Sequence, residues 1–206
     1  LSMEHVCLDL EGVLIPEIWA EVAEYTGEEQ FKLTTQDLKD YSELMDMRID
    51  LVQSIGLSFL EIQSLVNKME PFEGAREFID WVRDNFQLTI VSDSFYELAW
   101  PLLRKLGTPS INCHYLDIEN NELKGYTLRQ LENKKKVVQG LKDMKFKVFA
   151  SGDSYNDIQM LQEADLGVFF QAPKHIREEF KEIEGVESHE DLKNLLIENS
   201  SFIGRT

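Results

Sequence analysis

The sequence predicts an α/β fold, a parallel sheet flanked by helices, with a purely helical segment inserted after the first strand. Three observations carry this reading. Short apolar runs alternate with stretches of helical periodicity, as strand–helix–strand units require. Two of those runs end directly in clusters of acidic residues. Residues 16–71 show helical spacing and no good strand pattern.

Taken in order, His5-Val6-Cys7-Leu8-Asp9-Leu10 reads as a buried first strand, followed by Glu11-Gly12. Helical patterning then covers roughly 17–25, 40–55 and 58–69. The last of these opens on Ser58-Phe59-Leu60-Glu61, a capping box whose side chains satisfy orphan amides at a helix start. Pro71 and Gly74 punctuate the return to the sheet. Further strands are expected at Leu88–Ser92, Lys147–Ser151 and Asp165–Phe170, and helices at about 75–85, 95–106, 134–143, 156–163 and 189–199. Ile111–Ile118 and Gly125–Leu128 flank the turn-like Glu119-Asn120-Asn121-Glu122 and predict a hairpin. The expected architecture is a Rossmann-like parallel-sheet core, residues 1–15 and 72–206, carrying an inserted helical cap domain at 16–71.

Composition narrows the function. With 43% apolar and 10% aromatic residues in 206, the chain can bury a packed core, which excludes a disordered protein. The formal net charge of −17 argues against a nucleic-acid partner, because phosphate backbones need basic patches. Much of that charge is diffuse, with a concentration from Glu178 to Asp191 that reads as a solvated acidic surface. Any anionic substrate must therefore find cations concentrated locally. Two cysteines and no leader-like stretch predict a cytoplasmic protein with free thiols. No apolar run approaches the roughly 18 residues of a membrane span.

The chemistry-bearing residues lie at strand ends. Alternation puts Asp9 and Glu11 on the same side at the C-terminal end of the first strand, where open α/β sheets build their sites. Two carboxylates that close repel unless a cation or a proton intervenes. Ser151-Gly152-Asp153-Ser154-Tyr155-Asn156-Asp157 places Asp153 and Asp157 in one loop with Asn156 between them. Oxygen ligands of this kind suit Mg²⁺, although the same residues also make an ordinary turn that caps the next helix. Ser92 ends an intermediate strand, where its hydroxyl either meets a ligand or caps the helix beginning near Phe95. Among Lys134, Lys135 and Lys136, Lys134 stands four residues before Val138 on the expected helix and is the first choice for an anion-binding lysine. Arg48 falls inside the apolar stripe Tyr41, Leu44, Leu51 and Ile55. A charge facing a buried seam is costly unless paired. It either makes an internal salt bridge with a nearby glutamate or grips a substrate carboxylate as a guanidinium fork. His5, His114, His175 and His189 are scattered without ligand spacing and receive no role.

In order and spacing, these segments resemble the haloacid dehalogenase superfamily. Its motifs are Asp-x-Asp, a Ser or Thr after a strand, a Lys, and Gly-Asp-x-x-x-Asp, all with matching positions between Asp9 and Asp157. Within it the chain resembles the phosphoserine phosphatase branch, through Tyr41-Ser42-Glu43-Leu44-Met45-Asp46-Met47-Arg48 and Pro71-Phe72-Glu73-Gly74-Ala75. It is most similar to the bifunctional phosphoserine phosphatase/homoserine phosphotransferase group, sharing Asp-Leu-Glu-Gly-Val-Leu, Pro16-Glu17-Ile18-Trp19, Ser92-Asp93 and Gly-Asp-Ser-Tyr-Asn-Asp. The resemblance implies an aspartyl-phosphate on Asp9 and acid/base work by the Glu11 side chain. It implies Mg²⁺ held by Asp9, the Glu11 carbonyl and Asp153, with Asp157 orienting the metal's waters. Ser92, Asp93, Lys134 and Asn156 would surround the phosphate, while Arg48 and Glu17 would face the carboxylate and ammonium of phosphoserine. Homoserine is a possible second acceptor. Two departures stand out: Glu11 where the wider family has Asp, and Asp93 where other phosphoserine phosphatases have Gly. Another small phosphomonoester remains the alternative substrate, and a catalytically silent binding module the alternative class. The retention of Asp9, Glu11 and Asp153 argues against the latter.

Overall fold

A computed structural model describes residues 3–202 apart from Gln36 and Lys39. The outermost residues of the expected core, 1–2 and 203–206, thus lie outside the described residues. Seven strands form one sheet in the order β4-β3-β2-β1-β5-β6-β7. These are β1 (Glu4–Leu8), β2 (Gln87–Phe95), β3 (Ile111–Glu119), β4 (Glu122–Thr127), β5 (Lys147–Gly152), β6 (Leu166–Phe170) and β7 (Glu184–Val186). All neighbours run parallel except the β3–β4 hairpin. From β1 the chain builds outward to β2 and β3, then crosses over to build β5, β6 and β7 on the other side. The switch point therefore lies between β1 and β5, whose C-terminal ends carry Asp9 and Asp153. This is where doubly wound sheets leave a crevice.

β1 is central because its side chains suit burial on both faces. Val6 and Leu8 enter one hydrophobic cluster while Cys7 enters the other. Both cysteines are free, buried thiols. Helices α4 (Ala75–Asn85), α5 (Tyr96–Lys105), α6 (Asn133–Asp143), α7 (Ile158–Glu163) and α9 (His189–Asn199) cover the sheet. In α4 the buried residues are Ala75, Phe78, Ile79 and Val82, the spacing of one helical face.

The segment 16–71 holds α1 (Ile18–Thr26), α2 (Tyr41–Ser54) and α3 (Phe59–Lys68), with no strand among its described residues. The capping box forms at Ser58 and Glu61 as expected. The two ends of the insert meet, the Phe72 amide donating to the Leu14 carbonyl at 2.9 Å. The hairpin tip also reaches the insert, where the Phe59 amide donates to the Asn121 carbonyl (2.9 Å) and the Leu60 amide to Asn121 Oδ1 (2.8 Å).

Several details depart from the sequence expectations. β2 runs on past the expected end at Ser92, through Asp93 to Phe95, with an irregularity in its register against β3. The hairpin turn is tighter than expected, with only Asn120 and Asn121 outside the strands, both at positive φ (50° and 64°). That geometry suits asparagine and the twist of a two-residue hairpin. A 3-10 turn over Tyr155–Asp157 precedes α7, and another over Glu29–Lys32 follows α1. Strand β7 and helix α8 (Lys174–Glu179) have no counterpart in the sequence reading. On α2, Ile55 lies beyond the helix end and is exposed; the buried face is Leu44, Met45, Arg48, Ile49 and Val52. No single helix among the described residues is long and apolar enough to cross a membrane.

Candidate active site

The loop after β1 places Asp9 in a buried position, its amide donating to the Ser151 carbonyl of β5 at 3.0 Å. Asp9 Oδ1 accepts from the Leu10 amide at 2.8 Å. Two residues on, Glu11 lies beneath the start of α1, where its Oε1 accepts from the Ile18 amide at 2.8 Å. The chain turns between them and the helix at Gly12, whose φ of +80° favours glycine. A β-carbon there would stand 2.3 Å from Asp153 Oδ2, so the glycine also makes room for the second acidic loop.

That second loop brings Asp153 and Asp157 to Asp9. One carboxylate oxygen from each of the three lies within 4.8 Å of the others. Asp157 is fully buried, with Oδ2 accepting from the amides of Asp153 (2.9 Å) and Ser154 (3.1 Å). Its Oδ1 accepts from Lys134 Nζ at 2.6 Å, and the same ammonium stands 3.1 Å from Asp9 Oδ1. Lys134 is therefore the inward-facing lysine; Lys135 is half-buried and Lys136 exposed. Burial disfavours its charge, but Asp157, Asp9 and Asp93 outweigh this and hold its proton on.

Burial, then the Asp157 charge and that of Asp153, push the Asp9 carboxyl well above the usual range, with Lys134 opposing. Asp153 is pushed up to about 8 by burial, Asp157 and Glu17. Three crowded oxygen donors in this electrostatic state fit a small, hard divalent cation, which would relieve their repulsion. Glu11 is also pushed up to about 8, by burial and then by Glu17, with the Ile18 amide, Arg48 and Lys134 opposing.

Ser92 is buried on β2, and its Oγ accepts from the Ser94 amide at 3.0 Å rather than capping α5, whose N-terminus has no side-chain cap. Asp93 Oδ2 accepts from Asn156 Nδ2 at 2.9 Å. From the insert, the Tyr41 hydroxyl donates to the Asp93 carbonyl at 2.7 Å. Arg48 is buried at 8% exposure. Its guanidinium donates to the Leu33 carbonyl at 2.8 Å, approaches the Met45 sulfur at 3.8 Å and lies over the Trp19 ring. Nε has no partner, and no described carboxylate lies within 4.0 Å. The internal salt bridge considered from the sequence is thus not formed among the described residues.

These groups line one cavity of about 130 Å³, with Asp9, Glu11 and Asp153, Glu17 and Arg48, and Ser92, Asp93 and Asn156 all in its wall. A larger hollow of about 950 Å³ adjoins it through Thr35, Tyr41, Asp93 and Asn156, and is lined in turn by Lys134 and His114. Every site residue picked from the sequence thus falls in or beside one cavity. Thr34, Thr35 and Ser94 also line it without having been singled out, and Tyr41 lines it too. From the sequence Tyr41 reads as an apolar stripe residue, and its spacing carries no sign of its hydroxyl's task. His114, given no role, faces Asp93.

A model of the haloacid dehalogenase-like hydrolase family matches residues 3–165. The chain belongs to that family. This haloacid dehalogenase-like hydrolase is 46% identical over 200 residues to phosphoserine phosphatase ThrH of Pseudomonas aeruginosa, covering 97% of this chain and 98% of that protein. It is 43% identical over 201 residues to a phosphoserine phosphatase of Pseudomonas syringae pv. tomato, covering 97% and 85%. A solved phospho-aspartyl intermediate analogue of phosphoserine phosphatase has the same fold, with a TM-score of 0.78 at 22% identity over 94% of this chain and 99% of that one.

Proposed function

We propose that this hydrolase removes phosphate from O-phospho-L-serine through an aspartyl-phosphate on Asp9, in the cytoplasm, and passes part of the phosphoryl flux to homoserine. The observation that carries the substrate is Arg48, a buried guanidinium without a carboxylate partner among the described residues, in the wall of the same cavity as Asp9. A phosphorylated amino acid supplies both a phosphate for one group and a carboxylate for the other. The close relatives, named as phosphoserine phosphatases along nearly their whole length, support the same reading.

In the first half-reaction an Asp9 oxygen forms a bond to phosphorus as the bond from phosphorus to the serine oxygen breaks. Glu11, whose carboxyl burial and Glu17 push up to about 8, is the group that gives a proton to that oxygen. In the second half, water or a bound alcohol bonds to phosphorus, Asp9 leaves as carboxylate, and Glu11 takes the proton back. Asp9, Asp153 and the Glu11 carbonyl would hold Mg²⁺, with Asp157 behind them orienting its waters. Bound there, the ion would supply charge to offset repulsion between Asp9 and the phosphate. Lys134, Ser92 and Asn156 hold the phosphoryl oxygens, and Glu17 faces the substrate ammonium. The insert 16–71 acts as a cap that closes over the reacting groups and keeps bulk water out.

The test is a panel of phosphoserine, phosphothreonine, phosphoethanolamine and sugar phosphates, assayed with Mg²⁺ and with chelator. Phosphoserine should lead the panel, only with the metal, and Asp9→Asn should abolish turnover without unfolding the protein. Preference for a sugar phosphate overturns the substrate. Mass spectrometry of reactions with homoserine should show phosphohomoserine rising with its concentration; free phosphate alone at saturating homoserine makes the protein a hydrolase only.

A further inference from the structure

His114 stands on β3, buried at 3% exposure, with its ring packed near Tyr41 and Phe95. Its Nδ1 accepts from the Arg129 amide at 3.1 Å, so that nitrogen carries no proton and Nε2 must. The protonated Nε2 faces Asp93 Oδ1 at 3.4 Å. The other Asp93 oxygen takes the Asn156 amide, and the backbone of Asp93 is fixed by the Tyr41 hydroxyl. Asp93 is thus held from three sides, although its side chain is only partly buried.

The cation nearby gives this restraint its purpose. Lys134 Nζ lies 3.9 Å from Asp93 Oδ2, against 2.6 Å from Asp157 and 3.1 Å from Asp9. An ammonium has three protons, and two are committed to Asp157 and Asp9. The third is the one available to a phosphoryl oxygen. We infer that His114 is a positioning residue that holds the Asp93 carboxylate off Lys134 and so keeps that third proton for the substrate. Released from His114, the carboxylate needs to move only about an ångström to close a full ion pair with the lysine. At an effective dielectric of about 20, shortening the pair to hydrogen-bond distance favours the closed arrangement by roughly tenfold. The inference rests on the proposed role of Lys134 in holding phosphate.

The experiment uses His114→Phe, which keeps the ring, His114→Gln, whose amide can reach Asp93, and His114→Asn, which can serve Arg129 but falls short of Asp93. Binding of orthovanadate, a phosphate mimic, is measured by calorimetry on Mg²⁺-saturated protein, alongside hydrolysis of p-nitrophenyl phosphate and thermal unfolding. His114→Phe and His114→Asn should weaken vanadate binding and raise KM by about tenfold with a smaller change in kcat, and His114→Gln should retain most of the affinity. Adding Asp93→Ala to His114→Phe should restore binding to the level of Asp93→Ala alone, because the capturing carboxylate is gone. If His114→Phe fails to fold, His114→Asn with and without Asp93→Ala decides. Equal losses with and without Asp93, or no rescue by glutamine, overturn the inference, as does wild type that binds no vanadate. Vanadate binding without phosphoserine turnover would instead refute the proposed substrate and leave this test standing.

Discussion

Replacing Arg48 with methionine separates two physical accounts of a buried charge. The guanidinium has one backbone acceptor, the Leu33 carbonyl at 2.8 Å, and a soft contact to the Met45 sulfur at 3.8 Å. Its Nε is unpartnered, and the group lies 5.0 Å from the Trp19 ring centre. Breaking a buried ion pair costs about 3–5 kcal/mol, because the other charge is left stranded. Arg48→Met strands no described carboxylate and keeps an unbranched apolar stem over Trp19. It loses one charge-assisted hydrogen bond, worth about 1.5–3 kcal/mol, and gains relief from burying a charge, which offsets most of it. The net stability change should stay within about 1 kcal/mol. On substrate the account differs. Losing the carboxylate contact should lower kcat/KM for phosphoserine by about 10–150-fold, the rate equivalent of the same 1.5–3 kcal/mol. Phosphoethanolamine, which is phosphoserine without its carboxylate, should be turned over by the variant within about twofold of wild type. Urea unfolding and steady-state phosphate release measure the two quantities. Equal losses on both substrates, or destabilisation above about 3 kcal/mol, would refute the carboxylate-binding argument.

Three further outcomes follow from the geometry. Gly12→Ala forces a β-carbon to within 2.3 Å of Asp153 Oδ2 at a φ of +80°; Mg²⁺ affinity by calorimetry should fall about tenfold or more while helical content by circular dichroism is unchanged. Lys134→Met removes the cation between Asp9 and Asp157; in chelator the protein should lose about 3–5 kcal/mol to urea, and Mg²⁺ should recover part of it. His5 is buried, and burial lowers it from 6.5 to about 4, so the unfolded chain binds a proton that the fold refuses between those values. The His5 contribution should therefore be intact above pH 6.5 and lost by up to about 3 kcal/mol towards pH 4, against the opposite slope of the raised Asp9, Glu11 and Asp153 carboxyls, so the difference between wild type and His5→Gln in pH-dependent melts isolates it.

The fold was legible wherever burial imposes a strong pattern. β1 is sandwiched on both faces, and α4 shows a single apolar face, so both stand out in the sequence. Strand β7 was not legible because it is three residues long and buries only Val186. The extension of β2 past Ser92 to Phe95 was hidden for a related reason, since the polar residues there look like a strand end and pairing with β3 is interrupted between Val91 and Phe95. At the site, Asp9, Asp153 and Asp157 carry local patterns, each following an apolar strand, and it is their order and spacing together, rather than either loop alone, that sets them apart from ordinary capping turns. His114 and Tyr41 could not be read the same way. They reach Asp93 across 21 and 52 positions of chain, through strand pairing and the seating of the insert, and neither leaves a trace in local spacing.

The two buried thiols have a practical meaning for studying this enzyme. Cys7 and Cys113 are both pushed up to about 12, Cys7 by burial alone and Cys113 chiefly so, and reaction with alkylating reagents needs the thiolate. Neither native thiol is therefore expected to label readily while the protein is folded. A cysteine introduced at an exposed position of the insert, such as Tyr25 or Leu60, would be the single handle for a fluorophore or spin label. Paired with a second on the sheet side, it would report distances between the insert and the sheet during turnover without first having to strip the chain of its own thiols.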